Sequence, residues 1–126
     1  MIEVLYEDNH LIAVNKKSGD IVQGDKTGDT PLSYFVKQYI KKKYNKPGEV
    51  FLGTIHRLDR PTSGIVLYAR TSKALSRMNE QFRNKEVQKT YLAVVDNIPP
   101  NNAGTLVNFL QKNQKQNKSY VTKGNK

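Results

Sequence analysis

Hydrophobic positions along the chain recur with two different periods. Ile2, Val4 and Tyr6 alternate with polar residues, and after Glu7-Asp8-Asn9-His10 comes the apolar run Leu11-Ile12-Ala13-Val14. This pattern predicts two short strands around a polar turn. Lys16-Lys17-Ser18-Gly19-Asp20 follows as a loop, then a short strand at Ile21-Val22 and a Gly/Asp-rich loop from Gly24 to Asp29. Thr30 suits an N-cap and Pro31 the first helical position. Leu32, Phe35, Val36, Tyr39 and Ile40 then fall on one helical face, and Lys37, Lys41, Lys42 and Lys43 favour the end where cations suit the helix dipole. Pro47-Gly48 ends that helix. Ile65-Val66-Leu67-Tyr68-Ala69 is a continuous apolar run that reads as a strand covered on both faces. Ser72 can cap a second helix with the face Leu75, Met78 and Phe82. A third strand runs from about Val87 to Val95 and ends at Pro99-Pro100, and from Gln111 onward the chain is Gln, Asn, Lys and Ser with little apolar content. Mixed strands and helices without a repeat predict an α+β domain.

Composition narrows this picture. The 126 residues allow one domain, yet only 37% are hydrophobic, which implies either a solvated tail or a core whose partner segment lies elsewhere. The absence of Cys excludes a disulfide scaffold, a redox CxxC centre, a Cys-based zinc site and a thiol nucleophile. No apolar run approaches the ~20 residues of a membrane span, and Met1-Ile2-Glu3 opens no signal peptide, so a soluble, cytoplasmic protein is expected. The net charge of +10 is uneven: residues 1–31 carry −3, residues 32–96 carry +8, and residues 97–126 carry +5. A basic middle and end suit a polyanion such as a nucleic acid, and equally a solvated surface.

Candidate chemistry is concentrated in one segment. Gly19 to Gly24 has the spacing of a phosphate loop, but Asp25 stands where the essential Lys would follow, so no nucleotide site is expected. His10 and His56 lie far apart in sequence and without carboxylates at ligand spacing, which makes structural or surface roles the expectation and leaves no metal site. His56-Arg57-Leu58-Asp59-Arg60-Pro61-Thr62-Ser63-Gly64 sets one carboxylate between two guanidinium groups at a turn. Strand alternation would put Arg57 and Asp59 on one face, where cations keep Asp59 ionised as a nucleophile or base. The same residues would also serve as an ordinary ion pair ordering a tight turn.

The segment His56-Arg57-Leu58-Asp59-Arg60-x-Thr62-Ser63-Gly64 resembles the signature of the RluA-type RNA pseudouridine synthases. Leu5 to Lys16 is similar to that family's first strand pair and the Lys after it. Thr71-Ser72-Lys73-Ala74, the helix to Phe82, and Val87-x-Lys89-Thr90-Tyr91-Leu92-Ala93 resemble the segment following the signature. The resemblance covers roughly residues 1–110 and implies an α+β fold with a mixed, mainly antiparallel sheet and flanking helices, the pseudouridine synthase catalytic fold, incomplete in this chain. It implies that Asp59 is the nucleophile forming a covalent adduct while the uracil glycosidic bond breaks and the base reattaches through C5. Arg57 matches the arginine that fills the helix when uridine flips out. Tyr91 matches the tyrosine packing against the uracil ring, with strand packing as its alternative. Arg60 stands evenly between a phosphate contact and a structural pair with Asp59. The implied partner is ribosomal or transfer RNA, with no organic cofactor and no metal, and a monomer is expected if the domain is complete.

Two departures stand out. Lys16-Lys17-Ser18-Gly19 lacks the proline usual in that loop, and no Arg/Thr/Gly-rich stretch leading into His-Gln-Ile-Arg occurs before Lys126. The expectation is therefore the N-terminal part of a catalytic domain over residues 1–110, with residues 111–126 a polar basic tail leading into the remainder. The alternatives are a non-catalytic RNA-binding module derived from such a domain, or a scaffold pairing its open sheet edge with another chain.

Overall fold

The computed structural model describes residues 1–124, and they fall into two units, Met1–Lys89 and Thr90–Lys126. The first unit contains β1 (Val4–Glu7), β2 (Leu11–Lys16), α1 (Leu32–Lys43), β3 (Gly53–Thr54), β4 (Gly64–Ala69) and α2 (Ser72–Arg83). Its sheet has the order β1-β2-β4-β3, antiparallel throughout. The second unit contains a hairpin of β5 (Phe109–Asn113) and β6 (Lys118–Thr122). The α+β, antiparallel expectation holds.

Register distributes the core between the two faces of the sheet. Ile12 stands opposite Tyr68, Val14 opposite Val66 and Lys16 opposite Gly64, so period-two alternation puts all six on one face. Ile12, Val14, Val66 and Tyr68 pack there with Leu32, Val36 and Ile40 of α1. Within the helical stripe read from the sequence, Phe35 remains 47% exposed because it lies at the margin of that contact. On the opposite face Gly53 meets α2 so closely that a Cβ there would lie 2.8 Å from the Leu75 side chain. The apolar run of β4 is not covered on both faces along its length: Ile65 is 64% exposed, beyond the reach of α2.

Several boundaries differ from the sequence expectation. Ile21-Val22 is not a strand. Its carbonyls accept the Leu32 and Ser33 amides at 2.7 and 3.2 Å, satisfying helix N-terminal donors that would otherwise be orphaned. With backbone acceptors in place, α1 needs no side-chain cap, and Pro31, not Thr30, occupies the N-cap position. In α2 the cap is Thr71, whose hydroxyl accepts the Ala74 amide at 3.1 Å, and Ser72 is already helical. Residues 87–95 form no strand: nothing among the described residues pairs with them, and Leu92 and Val94 stand fully exposed. Alternation marks a segment able to pair but does not supply its neighbour. The predicted polar tail contains most of a hairpin, with Asn113 and Lys118 paired across its turn, while Asn125 and Lys126 lie outside the described residues.

The ends of α1 are tied by polar contacts. Glu7 accepts from Tyr39 (2.5 Å), Lys43 (2.6 Å) and Tyr44 (2.8 Å), which joins the C-terminal turn to β1. Burial would raise the Glu7 carboxyl, but these donors outweigh it and hold it at about 2. A depressed carboxyl contributes stability that is complete above its ordinary value of 4.5 and is lost as pH falls toward about 2. A Glu7→Gln variant should therefore show a flatter decline of stability across that interval in urea titrations. An unchanged slope would contradict the network. In the core, the Tyr68 hydroxyl donates to the Val22 carbonyl at 2.5 Å, pinning the chain before α1. Tyr68→Phe should cost about 1 kcal/mol in denaturant unfolding, since the Val22 carbonyl loses the shorter of its two hydrogen bonds and keeps the Ser33 amide.

Candidate active site

β2 delivers Lys16 into the buried face of the sheet in line with Ile12 and Val14, and its side chain is completely inaccessible to solvent. Its Nζ donates to the carbonyls of Lys17 (3.1 Å), Arg60 (2.9 Å) and Thr62 (2.6 Å). Three acceptors match the three N–H bonds of an ammonium. Burial pulls this amine below its ordinary lysine value, with the carboxylates of Asp20 and Asp59 acting in the opposite sense. Two carbonyls of the 59–62 turn are thus fixed from within the core.

Further contacts lock the same turn. Thr62 donates its amide to the Asp59 carbonyl at 2.9 Å, closing the turn. The Gly19 amide donates to the Arg60 carbonyl at 2.8 Å, and the Arg60 Nε donates back to the Gly19 carbonyl at 2.9 Å. Gly19 has φ +98°, a conformation that a side chain would oppose. The Arg60 guanidinium also pairs with Asp29. Arg60 is therefore engaged with the 17–20 and 24–29 loops and not with Asp59, which corrects one of the two roles weighed for it, the structural pair. The reason is that the Arg60 guanidinium is taken up by the Gly19 carbonyl and the Asp29 carboxylate.

The carboxylate of Asp59 is exposed and makes no hydrogen bond or ion pair among the described residues. Arg57 is likewise exposed and unpaired among them. The cation-beside-anion arrangement expected from strand alternation does not form, because residues 55–59 have left the sheet after the two-residue β3. No ion pair of Asp59 therefore orders this turn. Lys16, Gly19 and Thr62 do, which leaves Asp59 without a structural duty. Tyr91 lies in the second unit, 58% exposed and outside any strand.

His56 explains how the signature leaves the sheet. Where β3 stops, the His56 Nε2 accepts the Leu67 amide of β4 at 3.0 Å, replacing the next ladder bond. Its ring stacks on Phe82 of α2 at 5.3 Å. Burial, with Lys89 adding to it, lowers the His56 pKa and favours the neutral ring that this acceptor role needs. The structural role expected of His56 holds. Among the described residues no cluster of three or more His, Cys, Asp or Glu side chains could hold a metal, and no helix is long and apolar enough to cross a membrane.

A family model described as RNA pseudouridylate synthase matches residues 10–126. The chain belongs to this family. Its match takes in the Lys16, Gly19 and Asp59–Thr62 assembly described above. The chain is 36% identical over 115 residues to the ribosomal large subunit pseudouridine synthase C of Buchnera aphidicola from Acyrthosiphon pisum, covering 91% of this chain and 35% of that protein. To the tRNA pseudouridine synthase C of Haemophilus influenzae it is 46% identical over 95 residues, covering 75% and 38%. The human RNA Pseudouridylate Synthase Domain Containing 4 structure superimposes with a TM-score of 0.57 at 25% identity, over 67% of this chain and 30% of that one. The chain thus spans roughly a third of the length of these relatives. This agrees with the RluA-type resemblance of its signature.

Lys16 was visible in the sequence only as the residue following the first strand pair. Its period-two alignment with Ile12 and Val14 was the signal that it enters the core. Lys16→Met should leave the Thr62 carbonyl without a donor, while the Arg60 and Lys17 carbonyls keep the Gly19 and Asp20 amides, and should cost roughly 2 kcal/mol in denaturant unfolding. Amide exchange at Gly19 and Thr62 should accelerate together. A loss below about 1 kcal/mol, with exchange unchanged, would remove Lys16 from this role.

Proposed function

We propose that the chain is part of an RNA pseudouridine synthase that isomerises uridine in ribosomal or transfer RNA, with Asp59 as nucleophile. The observation carrying this reading is an exposed carboxylate, unpaired among the described residues, on a turn held rigid by a buried ammonium. Catalytic groups need a fixed backbone and a free functional atom, and Asp59 has both. Asp59 forms the covalent adduct on a uridine taken out of the stack, the glycosidic bond to N1 breaks, and the base reattaches through C5 as the adduct bond breaks and returns the free carboxylate, with loss of the C5 proton and protonation of N1. Arg57 fills the space left in the RNA, and Tyr91 offers its ring to the uracil. Arg60, committed to Gly19 and Asp29, positions the turn and makes no phosphate contact in this reading.

Tritium release from RNA labelled at uridine C5 tests the proposal. In a protein extending this chain to the full length of its relatives, Asp59→Ala should reduce release at least a thousandfold, a loss of about 4 kcal/mol of transition-state stabilisation. Release close to the parent rate would remove Asp59 from catalysis. If RNA binds in a salt-dependent way but no label is released even in that full-length protein, the RNA-binding reading takes its place.

A further inference from the structure

We infer that the exposed face of α1 is a docking track for single-stranded RNA flanking the target uridine. This rests on the proposed RNA substrate and adds a surface outside the Asp59 turn. The helix starts at the catalytic end of the sheet: just before it, Asp29 pairs with Arg60, and its first amides bond to Ile21 and Val22. It ends at the far end, where Lys43 and Tyr44 reach Glu7 and the Arg70 guanidinium lies 4.5 Å over the Tyr44 ring. Twelve residues span about 18 Å.

What this helix shows to solvent is unusual for a solvated face. Leu32, Val36 and Ile40 are buried, so the opposite surface carries Tyr34, Gln38 and Lys41, with Phe35 and Lys42 along its flank. Tyr34 and Phe35 are 49% and 47% exposed and meet edge to face at 5.5 Å. Spacing of seven puts Lys41 in line with Tyr34 and Lys42 in line with Phe35, about two turns farther from the catalytic end. The helix has no acidic residue. Carboxylates at its two ends are already engaged, Glu7 by Lys43 and Asp29 by Arg60. Two aromatic rings followed by two ammonium groups, with no anion on the helix, fit a strand that stacks bases near the reacting uridine and lays phosphates along the next two turns. An acidic protein segment would use the lysines but has no need of two exposed rings.

The test uses this chain and a fluorescein-labelled RNA stem-loop with a uridine-containing single-stranded loop, titrated by anisotropy at several salt concentrations. Lys41→Glu with Lys42→Glu should raise Kd about tenfold or more and reduce the salt slope by about 1.4, two single-strand phosphate contacts. Tyr34→Ala with Phe35→Ala should weaken binding about tenfold and leave the salt slope unchanged. The lysine variant should unfold at the parent's midpoint, because both ammonium groups stand in solvent, and the half-exposed rings make the ring variant's binding a measurement taken where its far-ultraviolet circular dichroism matches the parent's. Heparin, a polyanion without bases, should lose affinity for the lysine variant and keep it for the ring variant. Parent-like Kd and slope in both variants would overturn the track, as would failure of the parent chain to bind the RNA. Neither result bears on Asp59, which is judged by tritium release.

Discussion

The buried ammonium of Lys16 is the interaction on which the rest of the site depends. An amine fully withdrawn from water is tolerated only where each N–H finds an acceptor. Here the acceptors are backbone carbonyls from two separate segments, Lys17 on one side and Arg60 and Thr62 on the other. Neither segment has regular secondary structure, and neither could hold its shape alone. The ammonium converts them into one rigid rim, with Gly19 and Arg60 exchanging two further hydrogen bonds across it. Asp59 sits on that rim with its backbone fixed and its carboxylate free.

Other polar groups act as boundaries to this arrangement. His56 takes over a ladder bond where β3 stops, so the chain can leave the sheet toward the rim without exposing a raw edge on β4. At the far end, Glu7 gathers Tyr39, Lys43 and Tyr44 and anchors α1 to β1. Between these ends the helix is held by apolar contact, Leu32, Val36 and Ile40 against Ile12, Val14, Val66 and Tyr68. The Ile21 and Val22 carbonyls at its start, Glu7 at its finish and nonspecific burial between them fix both the direction of α1 and the position of its exposed face.

Much of this was legible in the order of residues. Period-two alternation found β1, the 3.6-residue period found both helices, and continuous apolar runs found β2 and β4, because each pattern reflects which sides of an element meet the core. The signature around Asp59 was likewise readable as a motif. Boundaries were less legible. Ile21-Val22 looks like a strand because it is apolar, yet its carbonyls are used to start α1. Residues 87–95 carry a strand pattern without a partner among the described residues.

The sequence by itself therefore determined the family, the α+β class, the main elements and the candidate nucleophile, since these follow from local periodicity and an ordered motif. Only the tertiary structure decided what holds Asp59 in place. Strand alternation implied that Arg57 would stand beside it, and Arg60 was evenly a phosphate contact or its structural partner. In the folded chain Arg60 turns to Asp29 and Gly19, and a lysine 43 positions upstream of Asp59 supplies the charge inside the turn. That partnership depends on where β2 ends relative to β4, a long-range register that side-chain spacing along the chain does not contain.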